Sequence, residues 1–387
     1  MIREATRRGF LKKTAACGAA AVAGGAAMAK VATTEAGSAE NALPRWRGFN
    51  MLSFFQAFSR QASRRDGAVP ENELRWIRDW GFDFVRIPMD YWLWVDCDWR
   101  KTRKISPADA MKIKESALES IDRTVELGRR YGLHVSLNFH RAPGYCINDR
   151  GSGREPFDLW KDKQAEDTFV HHWDVFAKRY RDIGSKELSF NLVNEAPSPK
   201  PGRMERKDYC RVMTCAVKKI RRTSPDRLIF VDGYGAGSMV VDGMIESGVA
   251  QSVHAYRPGQ ISHYRAKWVD RRMSFPKPTW PLRNKDGKAK FDRAALEKLY
   301  APWGRLVRRG IGVHCGECGC YNKTPHDVFL AWFQDVLSIL TGHGIGWALW
   351  NLRGSFGVVD SGRADVDYKD FHGHKLDKKL LDLLKRH

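Results

Sequence analysis

Two glutamates carry the strongest chemical signal in this sequence. Glu195 follows the apolar run 188–192 and the pair Val193-Asn194, and Glu317 follows the run 313–316. Other short apolar runs also end in polar or aromatic groups: Arg86 within Val85-Arg86-Ile87-Pro88, His140 after Asn138-Phe139, His254 and Tyr256 in His254-Ala255-Tyr256, and Trp350 before Asn351. Two facing carboxylates suit hydrolysis of a glycosidic bond. One holds a proton for the departing oxygen, and the other is ionised to attack or stabilise an oxocarbenium-like centre. Arg86 and Tyr256 can keep one carboxylate ionised by charge and hydrogen bonding, while His140, Asn194 and His254 can orient a sugar and the acid. A lone glutamate at a strand end is ordinarily solvated or paired, and a lone histidine is ordinarily a satisfied buried one. Their convergence at corresponding positions favours catalysis.

The elements that must position these groups repeat along the chain. Eight short β-branched or apolar runs, 47–52, 84–88, 134–139, 188–192, 228–231, 251–254, 313–316 and 346–350, alternate with stretches showing helical periodicity, among them 71–80, 112–131, 162–180, 207–223, 293–309 and 326–341. Gly81, Gly132, Gly310 and Gly344 each stand where a helix must end before the next strand. Eight such units predict a single-domain α/β fold, a (β/α)8 TIM barrel, with enlarged loops after its strands. An open doubly wound sheet is the structural alternative, but no G-x-G-x-x-G follows the first run. In a barrel, residues just past the strands meet at one mouth, where the polar groups above collect.

The ordered set Gly48-Phe49-Asn50, Arg86-Ile87-Pro88, His140, Asn194-Glu195, His254-x-Tyr256, Gly316-Glu317 and Trp350-Asn351 resembles glycoside hydrolase family 5, the cellulase-type retaining barrel enzymes, across nearly all of residues 45–360. The resemblance implies that Glu195 is the acid/base and Glu317 the nucleophile. It also implies that Asn194 contacts the 2-hydroxyl of the reacting sugar, with Trp350 a stacking platform beneath it. No metal or cofactor is implied. Two positions depart from the family pattern, Ala196 where Pro often follows the acid/base and Cys318 beside the nucleophile; neither removes a catalytic group. The expected activity is cleavage of β-glucosidic bonds in a polysaccharide or oligosaccharide, foremost as an endo-β-1,4-glucanase. β-Mannanase and β-1,3-glucanase chemistry remain open within the same motifs, and a non-catalytic glycan-binding barrel would be expected to have lost one of the glutamates or the arginine.

Composition limits the remaining readings. The chain has 387 residues, 43% hydrophobic and 29% charged, with a net charge of +21, which excludes a disordered or collagen-like protein. Thr6-Arg7-Arg8-Gly9-Phe10-Leu11-Lys12, a small-residue apolar stretch and Ala27-Met28-Ala29 read as a twin-arginine export signal over residues 1–29. Its removal takes away five basic residues and one acidic residue and leaves +17, so the basic charge belongs to the mature protein, expected in the periplasm or outside the cell. Residues 30–44 read as a flexible linker and 45–387 as the catalytic domain. No RRM, OB or helix-turn-helix pattern accompanies the charge, so no nucleic-acid partner is expected; nor is a membrane span, and the protein reads as a monomer. Cys315-Gly316-Glu317-Cys318 matches a metal or redox spacing but has no second pair, and is better explained as a strand carrying Glu317. A disulfide between Cys97 and Cys146 is compatible with neighbouring strands. Trp92, Trp94, Trp99, Trp268 and Trp280 fall in loops where indoles can stack on sugars or pack the loops. Residues 257–290, with ten basic and two acidic side chains, are too long for an ordinary connection and read as a lid or cleft wall.

Overall fold

The computed structural model describes residues 40–57, 68–149, 153–269, 276–284 and 286–387; the export segment and residues 30–39 of the expected linker lie outside the described residues. Eight strands, β1 (Arg47–Asn50), β2 (Phe84–Asp90), β3 (His134–Ala142), β4 (Leu188–Asn191), β5 (Leu228–Asp232), β6 (Ala250–Ala255), β7 (Val313–Cys318) and β8 (Gly346–Leu349), pair in parallel in the order 2-1-8-7-6-5-4-3. Pairing of β3 with β2 closes the ring. The fold is the (β/α)8 barrel that the repeat of runs predicts.

Helices α1 (Glu71–Asp79), α2 (Glu115–Arg130), α3 (Lys163–Arg179), α4 (Arg206–Thr223), α5 (Arg293–Arg308), α6 (His326–Gly342) and α7 (Lys378–Arg386) lie among these strands in the chain. Their spacing explains their packing. In α2 the buried positions are Leu118, Ile121, Thr124, Val125, Leu127 and Gly128, a stripe of the 3.6-residue period that faces the sheet. The four glycines at the helix ends have φ of +87°, +63°, +75° and +68°, the left-handed conformation that lets the chain turn at once into β2, β3, β7 and β8.

The parallel strands are buried on both faces, as their nearly continuous apolar runs require. A separate cluster of Trp46, Phe84, Phe230, Ala250 and Ala348, contributed by different strands, fills the barrel interior near the strand N-termini. Trp46 stacks on His134 at 3.7 Å and Phe84 lies 4.4 Å from His314. The polar groups of the mouth lie at the other end.

The fold takes in residues before Arg45. Asn41 Nδ2 donates to Val313 O (2.7 Å) and Gly344 O (3.1 Å), and its Oδ1 accepts from Val313 N–H at 3.1 Å. An asparagine in a polar stretch carries no apolar period, so this anchoring is invisible in sequence. All seven described cysteines are free, so Cys97 and Cys146 form no bridge. No described helix is long and apolar enough to cross a membrane.

Three histidines in this framework are held neutral. His172 accepts from Trp94 Nε1–H at Nδ1 (2.8 Å) and faces Ala110 O at Nε2 (2.7 Å), which leaves no site for a second proton. Burial pushes His134, His172 and His314 down to about 3. A depressed group contributes stability that is present above its unfolded value, about 6.5, and lost as pH falls through the folded value. Urea unfolding should therefore show stability declining from pH 6.5 towards 4, by as much as about 1.4 kcal/mol per pH unit for each histidine. His172→Gln should flatten that decline relative to its own value at pH 7; an equally steep profile in the variant would contradict this origin.

Candidate active site

The strand ends assemble one buried network. Arg86 on β2, 1% exposed, donates from Nε to Asn191 Oδ1 (2.9 Å), from Nη1 to Asn50 Oδ1 (2.9 Å) and Glu317 Oε1 (2.7 Å), and from Nη2 to Asn194 Oδ1 (2.7 Å). Its Nη2 also lies 3.8 Å from Asp232. Four strand segments thus converge on a single guanidinium. Glu317 takes a second hydrogen bond from Tyr256 Oη, at 3.0 Å to Oε2.

Two irregularities aim these groups. On β7 the register against β6 shifts between Cys315 and Glu317, leaving Gly316 as the extra residue. A bulge of this kind turns the following side chain. A Cβ at Gly316 would sit 2.5 Å from Ser252 Oγ, so any larger residue there would displace that side chain. The pairing of β3 with β2 shifts likewise between Met89–Phe139 and Asp90–Arg141, around His140.

Glu195 lies just beyond β4 with φ +48°, a strained conformation for a non-glycine residue that costs on the order of 1–3 kcal/mol. It is held from both sides: its N–H donates to Asp232 Oδ2 at 2.9 Å, and its carbonyl accepts from Tyr145 Oη at 2.7 Å. Its side chain, only partly covered, meets His254 Nδ1 at 3.0 Å through Oε1. The other face of the imidazole, Nε2, lies 3.2 Å from Asp232 Oδ2.

The electrostatics follow from this contact order. Burial works to lower His254, but the carboxylates of Glu317 and Asp232 and the Glu195 contact overrule it and raise it well above an ordinary histidine. Burial works to raise Asp232, and His254 and Arg86 overrule that, holding it below the usual carboxylate range. Burial raises Glu317, with His254 and Arg86 opposing the rise. A buried carboxylate that is more basic than usual yet ion-paired is a good nucleophile. Burial and the nearby carboxylates raise Tyr256, which stays a hydroxyl donor.

One oxygen each from Glu195 and Glu317 and a nitrogen of His254 all lie within 4.8 Å of one another, the only such His/Cys/Asp/Glu grouping among the described residues. As a metal site it is ill suited: Arg86 occupies one oxygen of Glu317 and His254 is drawn toward its protonated form, which is not a ligand. As a pair of carboxyl groups it falls on the near side of the roughly 5–5.5 Å that distinguishes retaining from inverting glycosidases.

The model of the cellulase family, glycosyl hydrolase family 5, matches residues 49–355. The chain belongs to glycoside hydrolase family 5. It is similar to endoglucanase C of Acetivibrio thermocellus, 25% identical over 326 residues that cover 78% of this chain and 88% of the relative. It is also similar to cellodextrinase A of Ruminococcus flavefaciens, 26% identical over 306 residues, 77% and 83% of the two chains. A crystal structure of a glycoside hydrolase is 37% identical and superposes with a TM-score of 0.80 over 88% of this chain and 99% of its own.

Within this family 5 barrel, all eight residues singled out by sequence come to the mouth or its lining. Arg86, Asn194, Glu195, His254, Tyr256 and Glu317 form the network above. His140 Nε2 meets Asn148 Oδ1 at 2.6 Å, and its ring packs on Trp350 at 5.5 Å, with Phe55 edge-on to both. Burial and Arg86 push His140 down to about 3, so it is neutral. Beside it Arg141 is wrapped by Asp90 (3.1 Å), Asp149 (2.8 Å) and Glu155 (2.7 Å), fixing the loop that carries Asn148.

The loop tryptophans divide. Trp92, Trp94 and Trp99 are buried and pack the loop after β2, so they are not sugar platforms. Trp280 donates from Nε1 to Asp335 on α6 at 2.8 Å, tying the second half of the 257–290 segment to the barrel's outer helices instead of the mouth. Among the described residues of the segment, 257–269, with Trp268, flank the site; residues 270–275 and 285 lie outside the described residues.

Sequence reading misses Asp232, Asn191 and Tyr145. Asp232 closes β5 at the position that other strands fill with polar groups, and a strand read over 228–231 stops one residue short of it. Asp232→Asn keeps the shape and removes the charge, leaving Arg86 and His254 under-neutralised. The variant should lose about 3 kcal/mol of stability, and NMR of histidine-labelled protein should show His254 releasing its proton at lower pH. An unchanged His254 titration would contradict the pairing.

Proposed function

We propose that the protein is an exported retaining endo-β-1,4-glucanase. The observation that carries the retaining mechanism is the approach of the two carboxylates within 4.8 Å, one ion-paired to Arg86 and the other contacting His254. In the first step Glu317 attacks the anomeric carbon while Glu195 gives its proton to the departing oxygen, so the glycosidic bond breaks as an ester to Glu317 forms. In the second, Glu195 takes a proton from water, which attacks the same carbon and releases Glu317.

The surrounding groups have work in both steps. Tyr256 and Arg86 offset the charge that returns to Glu317, and His254, backed by Asp232, offsets the charge that appears on Glu195. Asn194 Nδ2 is buried without an acceptor among the described residues, a donor suited to the sugar 2-hydroxyl. Trp350 is partly exposed and offers a ring face for the same sugar. The endoglucanase and cellodextrinase relatives support a β-glucan over other β-glycans.

Glu317→Gln should lower kcat by at least about 10⁴-fold while cellooligosaccharide binding and Tm stay near wild type; full activity would reject the nucleophile. A panel of carboxymethyl cellulose, lichenan, laminarin, xyloglucan and mannan, with product sizing, should give early internal cuts in carboxymethyl cellulose. Faster turnover of mannan or laminarin would move the assignment to those sugars. Export rests on Arg7-Arg8: replacing both with lysine should leave precursor in the cytoplasm, and unaltered export would remove the twin-arginine reading.

A further inference from the structure

The bulge in β7 aims the Glu317 carboxyl, so whatever holds the bulge sets that aim. Cys315 lies opposite Val253 of β6 and Trp347 of β8, and Cys318 lies opposite Ala255 and Leu349. Three steps along β7 are therefore matched by two steps along each neighbour. Side chains three apart on a regular strand point to opposite faces. Here the extra residue returns Cys315 and Cys318 to one face, while Gly316 and Glu317 turn inward to Ser252 and Arg86.

Two side chains grip the bulge by its carbonyls. From the mouth, Asn50 Nδ2 donates to Gly316 O at 2.9 Å while its Oδ1 accepts from Arg86. From the opposite face, the Cys315 thiol donates to Glu317 O at 3.2 Å, a short clasp across the bulge. The Cys318 thiol donates to Ala348 O on β8 at 3.4 Å. Both cysteines are fully buried, and Tyr300 of α5, also buried, is raised first by burial and then by these two thiols. No solvent competes there for the Glu317 carbonyl. A thiol–carbonyl hydrogen bond is weak in itself. Its leverage comes from place, because the same residue's carboxyl must meet Arg86 at 2.7 Å and Tyr256 at 3.0 Å.

A buried free cysteine ordinarily acts as a small apolar residue, which alanine or valine replaces at the cost of packing alone. Cys315 has a donor bond to the backbone of the very residue it would have to orient. We propose that Cys315 is a positioning residue for Glu317: its thiol fixes the Glu317 carbonyl, and with it the turn of the bulge that keeps the carboxyl against Arg86 and Tyr256. That Glu317 is the nucleophile is the reading proposed above, and the effect on kcat rests on it; the contacts of the carboxyl do not.

The test compares Cys315→Ala, Cys315→Val and Cys315→Ser in the full chain. Glu317 faces Arg86 of β2, His254 and Tyr256 from β6 and its loop, Glu195 after β4 and Asp232 of β5. A carboxylate that backs away from its cations and keeps its burial becomes more basic. Alanine and valine should therefore move the acid limb of kcat/KM up by about half a pH unit or more and lower kcat about tenfold, with KM within about twofold. Serine keeps a donor and should stay within about threefold of wild type in kcat, with the limb unmoved. Serine as impaired as alanine, or an acid limb unmoved in both alanine and valine, would overturn the proposal. Carbon-13 NMR of glutamate-labelled protein, with the resonance assigned by Glu317→Gln, reads the carboxyl without turnover. Its titration should rise in alanine and valine and not in serine; an unmoved titration in the first two would also overturn the positioning role. A wild-type protein that releases no reducing ends from any β-glycan, yet shows that NMR pattern, would sink the nucleophile assignment and leave the role of Cys315 standing.

Discussion

A guanidinium taken out of water loses several kcal/mol of solvation unless every face of it finds a partner. Arg86 is in that position, and its partners come from β1, β4, the segment after β4, and β7, with Asp232 of β5 at longer range. No local segment of chain supplies them. They meet only when the barrel closes, so the same event that completes the fold places the guanidinium against Glu317. Barrel closure and the pairing of Glu317 with Arg86 are one process, and the polar upper interior is tolerable because it is satisfied as a unit.

Charge balance extends the argument to the second carboxyl. Arg86 and His254 face Glu317 and Asp232, two cations against two anions, in a space with little water. Glu195 is the remaining carboxyl and the one with the most access to solvent, joined to the quartet through His254 and, by its backbone, through Asp232. That arrangement suits the proton transfers proposed for Glu195. The left-handed backbone at Glu195 is the strain the network absorbs to put the carboxyl there.

The loops obey a different rule. After β2, three tryptophans disappear into packing because the loop folds back and needs an apolar interior of its own. After β6, one tryptophan stays out on a spine of rings while another is tied down on α6 by Asp335. The polar network sits on strand ends that geometry constrains tightly, whereas the loops are free to differ.

The sequence by itself determined the barrel, because eight apolar runs with glycine-terminated helices between them have few other ways to bury their faces. It also determined the eight mouth residues, because strand ends in a closed parallel barrel share one rim whatever the loops do. Three things were decided only by tertiary structure. Asp232 became part of the support of Glu195 because β6 and β5 are neighbours and His254 reaches across, a pairing that no spacing along the chain encodes. Asn41 joined the fold through side-chain hydrogen bonds to backbone more than 270 residues away, which leave no periodic trace. The sorting of the loop tryptophans into buried, tethered and exposed depended on which rings and helices came to lie beside each indole, and identical residue types in similar loops carry no record of that.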